Sequence, residues 1–75
     1  MGRVTPNNLA EQLAMAEVRA APAGLELPIL VADPRWPPSA GWVKMAQNVN
    51  GVEIYYVRNT ITGAVADFKF VGGEP

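Results

Sequence analysis

The sequence contains no cysteine and no histidine. The first absence rules out disulfides. Together the two remove almost every structural zinc site, and the second removes the usual general base as well. Charge of one sign is also lacking: six basic residues stand against seven acidic ones, a net charge of -1. No global field draws the chain to nucleic acid or to a membrane, so any RNA contact has to be local. No apolar run approaches the roughly 20 residues that cross a bilayer, and the N-terminus lacks the basic-then-apolar pattern of a signal peptide. The chain reads as a soluble, cytoplasmic-type piece without a membrane partner. No cofactor or metal is expected.

What is present is a 75-residue chain with 49% apolar residues. That size lies near the lower limit for a single hydrophobic core, and self-association is the remaining common support, so a homo-oligomer is expected. Two helix starts overlap. Thr5 caps with Pro6 at the first helical position, or Asn8 caps with Glu11 reaching back. The helix runs from about residue 6 to 21 and stops at Pro22 and Gly24. Its stripe is Leu9, Leu13, Ala16 and Ala20, with Met15 and Val18 on another side, which gives it two apolar surfaces to cover.

Residues 22–41 are punctuated by five prolines, with Leu27 to Val31 as a short apolar run suited to an edge strand. The stretch DPRWPPSAGW, residues 33–42, is too rich in tryptophan for a flexible linker. It reads as an ordered wrap that clamps the sheet, with a binding-site wall as the other reading, and Trp36 packs against the rim or a neighbouring subunit.

Residues 42–71 read as a β-meander. Asn50-Gly51 marks a two-residue hairpin turn pairing Val49 with Val52. The next turn, Thr60-Ile-Thr-Gly63, has two readings: an even loop scatters the apolar residues of the third strand over both faces, whereas a three-residue turn with a glycine bulge at Gly63 sets Arg58 against Ala66, Tyr56 against Phe68 and Ile54 against Phe70. The bulged register gathers Val43, Met45, Val49, Val52, Ile54, Tyr56, Phe68 and Phe70 on one face, and a slip of one residue would expose all of them. The fold class is α+β: one domain over residues 1–75, with an N-terminal helix packed on a three- to four-stranded antiparallel meander.

The opposite face carries Trp42, Lys44, Asn48, Glu53, Tyr55, Asn59, Asp67 and Lys69, with Val57 and Val65 between them. Lys44 and Lys69 on the outer strands, with Tyr55 between, suit a phosphate. In metal-independent RNA cleavage a base takes the 2′-hydroxyl proton and a cation stabilises the charge at phosphorus. Lysines fill the second role. Tyr55 or Asp67 would assist proton transfer, which makes Lys44, Tyr55, Asp67 and Lys69 the candidate catalytic set. Trp42 would stack on a base, and Asn48, Asn59 and Arg58 are further substrate contacts. The competing reading is an ordinary solvated sheet face with cross-strand pairs.

The segment DPRWPPSAGWVKMAQNVNGVEIYYVRNTITGAVADFKF, residues 33–70, resembles the C-terminal domains of bacterial polymorphic toxins, most strongly over Gly51-Val-Glu-Ile-Tyr-Tyr-Val-Arg-Asn59 and Thr62-Gly-Ala-Val-Ala-Asp-Phe-Lys-Phe70. Some of these belong to the barnase and EndoU-like nuclease group. The resemblance covers about half the chain. It implies a metal-independent ribonuclease of helix-plus-sheet type, delivered to a target-cell cytoplasm if part of a secreted toxin, and a cognate immunity protein as partner. Relatives tend to have His at the place of Tyr55 and Asp at the place of Ala66, so this copy is inactive or uses another base. The alternative is a small non-enzymatic module that binds a protein or its own copy.

Overall fold

The computed structural model describes residues 3–71. Helix α1 spans Leu9–Ala20 and is followed by strand β1 (Leu25–Glu26), a short 3-10 turn (Pro38–Ala40) and strands β2 (Trp42–Val49), β3 (Val52–Asn59) and β4 (Val65–Phe70). The strands form one antiparallel sheet in sequence order, an α+β fold.

Of the two helix starts, Asn8 is the one used. Its backbone is extended and its Oδ1 accepts the Glu11 amide at 2.8 Å. The Glu11 carboxylate turns back to the Asn7 amide, one residue earlier than a standard capping box. Thr5 and Pro6 do not start the helix because the chain before Asn7 is committed to the sheet. Arg3 bridges Phe70 through both backbone groups, and its guanidinium grips Glu11 at 2.8 and 2.7 Å while lying 4.9 Å from the Phe70 ring centre. The helix ends where the Ala21 amide reaches the Glu17 carbonyl, with Pro22 unable to continue it.

That Arg3–Glu11 clasp also settles which side of α1 meets the sheet. Glu11, Ala14, Met15 and Val18 follow i, i+3, i+4, i+7 spacing and so share a face. Ala14, Met15 and Val18 are buried against Met45, Val49, Ile54, Tyr56 and Phe70, with Val43, Val52, Val65 and Phe68 packed around them. The expected stripe is therefore corrected: Leu9 and Leu13 point away from the sheet and are 66% and 62% exposed.

The Asn50-Gly51 turn is as expected, with φ of 51° and 86° and Val49 opposite Val52. The second hairpin differs. Asn59 donates to the Ala64 carbonyl and accepts from the Gly63 amide, which leaves a four-residue loop, Thr60–Gly63, with Gly63 at φ 81°. Arg58 then faces Val65, not Ala66, and Val57 faces Ala66. The register shifts between there and Tyr55, which faces Lys69. The extra residue is Asp67, at φ 60°, a left-handed conformation that aspartate tolerates better than most residues. Ile54 still faces Phe70, and Tyr56 stacks on Phe68 at 5.0 Å between ring centres. Val65, expected on the far face, packs into the core as a result.

Strand β1 begins earlier than the expected run from Leu27 to Val31. Leu25 pairs with Ala46 and Glu26 with Met45, and the last ladder bond is from the Leu27 amide to the Lys44 carbonyl. Pro28 has no amide proton with which to extend the strand. From there the chain crosses the second face of the sheet, the one away from α1. Val31 is buried on the way and Trp36 lies edge-on to Trp42 at 4.9 Å. Val57 alternates with Tyr56 and so points to this face, where it is 0% exposed. The proline-rich segment is thus a second layer over part of the sheet.

The two carboxylates hydrogen-bonded to a guanidinium, Glu11 and Asp33, titrate low. Hydrogen bonds from Arg3, then from the Asn7 amide, hold Glu11 at about 2 instead of 4.5. Hydrogen bonds from the Arg35 side chain and amide hold Asp33 at about 2 instead of 3.8. A depressed carboxylate stabilises the fold fully above its unfolded pKa and loses that contribution as pH falls through the folded one. Thermal midpoints should therefore fall between about pH 4.5 and 2. Glu11→Gln with Asp33→Asn should flatten that slope, and an unchanged slope would remove these two groups as its source.

Candidate functional site on the wrapped face

The sequence separates Lys44, Tyr55, Asp67 and Lys69, but the sheet brings them together beneath the wrap. Lys44 comes from β2, Tyr55 from β3, and Asp67 and Lys69 from β4. The Lys44 ammonium lies 5.2 Å from the Tyr55 ring centre, and Tyr55 is the cross-strand partner of Lys69. Lys69 Nζ is 3.3 Å from Asp67 Oδ2. Asp67 and Lys69 are alternate residues of β4 and share the second face, while the bulge at Asp67 sets Ala66 on that face as well and turns Val65 toward the core.

Two residues of the wrap complete the cluster, and sequence reasoning did not assign either to the site. Arg35 holds Asp33 through Nε at 3.1 Å to both oxygens and through Nη2 at 2.7 Å. The same Nη2 lies 4.0 Å from Asp67 Oδ1. The local signal was Asp33-Pro34-Arg35, a turn in which Asp33 Oδ1 accepts the Arg35 amide and the Asp33 carbonyl accepts the Trp36 amide. Nothing local says that this turn lands on β4.

The result is a row, Asp33–Arg35–Asp67–Lys69, with Lys44 beside it. Three cations against two carboxylates leave one positive charge unbalanced. It is best assigned to Lys44, whose ammonium has no carboxylate oxygen within 4.0 Å among the described residues. Burial pushes the Lys44 ammonium below its ordinary pKa and nearby Lys69 adds to this, while Asp67 and Asp33 oppose it.

The remaining expected contacts lie in other settings. Trp42 belongs to the site rim through its contact with Trp36, whose Nε1 is buried without an acceptor among the described residues. Asn48 serves the first hairpin, donating to Glu53 and accepting the Gly51 amide. Asn59 is buried and serves the second: it donates to the Ala40 carbonyl and accepts the amides of Ile61 and Thr62. Arg58, opposite Val43 and Val65, stands on the helix side of the sheet, away from Lys44.

Among the described residues no group of three or more His, Cys, Asp or Glu side chains could hold a metal, and no helix is long and apolar enough to cross a membrane. The arrangement is suited to binding an oxyanion. Its capacity for proton transfer is weaker, since the carboxylates of Asp33 and Asp67 already face cations. No family model, no curated protein and no solved structure matches the chain.

Proposed function

We propose that the chain is a ribonuclease-toxin-like domain that engages an RNA phosphate on the wrapped face of its sheet. One observation carries this reading: Lys44, Tyr55, Asp67 and Lys69, drawn from three strands, form a single half-buried cluster that retains an uncompensated cation. The toxin resemblance of β3 and β4 points the same way. Lys44 and Lys69 would stabilise charge at phosphorus, with Asp67 or Tyr55 to assist proton transfer. Binding is better supported than cleavage.

The test is incubation with labelled single-stranded RNA in chelator, at several salt concentrations. Lys44→Ala with Lys69→Ala should weaken binding by tenfold or more and reduce the salt slope by about 1.4, the loss of two phosphate contacts on a single strand. Any cleavage should vanish with it. Unchanged affinity in the double variant would show the face to be wrongly assigned.

A second reading, a self-associating module, is favoured by the exposed Leu9 and Leu13 on the free side of α1. Light scattering on the same samples separates the two. A mass several times that of one chain, without salt-dependent RNA binding, favours the module.

A further inference from the structure

We infer that the wrapped face accommodates one phosphodiester of single-stranded RNA, its monoanionic phosphate held at Lys44 and Lys69 and an adjoining base against the Trp36–Trp42 pair. This rests on the RNA reading of the same face and specifies what that face can take.

Charge decides the kind of phosphate. The cluster of Arg35, Lys44 and Lys69 with Asp33 and Asp67 carries one net positive charge. A phosphodiester monoanion neutralises it. A phosphomonoester, carrying up to two negative charges, would overshoot and place its second charge against two carboxylates that are already ionised. The half-buried position of the Lys44 ammonium makes that excess costly, because the environment screens it less than water does.

Stacking decides the form of the nucleic acid. Trp42 and Lys44 are alternate residues of β2 on one face, about 7 Å apart along the strand, which is within reach of a base and its own phosphate. The Trp36 ring meets Trp42 edge-on at 4.9 Å, with the Arg35 guanidinium 5.5 Å from the Trp36 ring centre. Bases stack on such aromatic and guanidinium surfaces only when they are free of a duplex.

The chain contains two tryptophans in all, and both belong to this pair, so tryptophan fluorescence reports on this site alone. The probe is a dinucleoside monophosphate whose first 2′-hydroxyl has been removed, so that it binds without being cleaved. It should change the emission saturably. Lys44→Met should weaken that response at least tenfold, and Lys44→Arg should hold it within a few fold. Dimethyl phosphate and inorganic phosphate should bind far more weakly than the dinucleotide, and a short RNA duplex should leave the emission unchanged. No dinucleotide response, an equal response in Lys44→Met, tighter binding of inorganic phosphate or an equal response to duplex would each overturn the inference. Long RNA bound in a Lys44- and Lys69-dependent manner without any tryptophan response leaves the RNA reading standing and sinks this one. A Lys44-dependent dinucleotide response without cleavage of any RNA supports the site and removes the nuclease.

Discussion

Replacing Tyr56 with alanine should abolish cooperative folding near 37 °C. Tyr56 is 1% exposed at the centre of β3, with Ile54 and Phe70 beside it in the core and Phe68 stacked on its ring. Its hydroxyl accepts the Gly24 amide at 2.8 Å, so the same side chain also anchors the start of β1. Truncating a buried aromatic costs about 3–5 kcal/mol. A domain of this length has about 4–11 kcal/mol in total. Urea or thermal unfolding followed by circular dichroism should show the transition lost or moved far down. Tyr56→Phe keeps the packing and deprives one amide of its acceptor, so it should cost about 1 kcal/mol. A Tyr56→Ala variant melting within a few degrees of the parent would mean that the core does not depend on this ring.

Gly24→Ala should be the most damaging of the one-methyl changes. A Cβ there would lie 2.5 Å from the Ala46 carbonyl oxygen, 2.9 Å from its carbon and 2.9 Å from the Tyr56 hydroxyl. Two of these are backbone atoms of β2 and cannot swing aside, so β1 must move. Overpacking of this kind costs about 1–3 kcal/mol, against a gain of about 0.4–1 kcal/mol from a stiffer unfolded chain. The displacement should propagate, because β1 leads into the wrap. We expect a lower urea midpoint together with red-shifted tryptophan emission as Trp36 loses its place on Trp42. An unshifted emission at a lowered midpoint would show that the wrap is held independently of β1.

The parts of this structure that the sequence revealed are those where local chemistry has one solution. Asn50-Gly51 demands positive φ at two successive positions, which few turns other than a two-residue hairpin provide. The eight apolar residues of the meander all lie on the helix side as read, since register is strongly constrained when one face is buried. Of the site, Lys44, Tyr55, Asp67 and Lys69 could be placed on one face from alternation. The helix face was misjudged because Leu9 and Leu13 are the larger hydrophobes, whereas the choice rests on the Arg3–Glu11 clasp, a contact between residues eight apart. Asp33 and Arg35 were missed because the wrap has no periodicity, and a turn signal gives conformation without destination. The four-residue second loop was misread because Gly63 offered an obvious bulge, while the real one used an aspartate.

That aspartate has a meaning for the length of the chain. With Asp67 left out, Val65, Ala66, Phe68, Lys69 and Phe70 would alternate without interruption, facing Arg58, Val57, Tyr56, Tyr55 and Ile54 across an unaltered loop. The core would lose nothing by this deletion, and the strand would be straighter. What would disappear is the carboxylate that joins Lys69 to the Arg35 side of the wrap. Asp67 is thus the one residue of β4 that the folded core can spare and the charged face cannot.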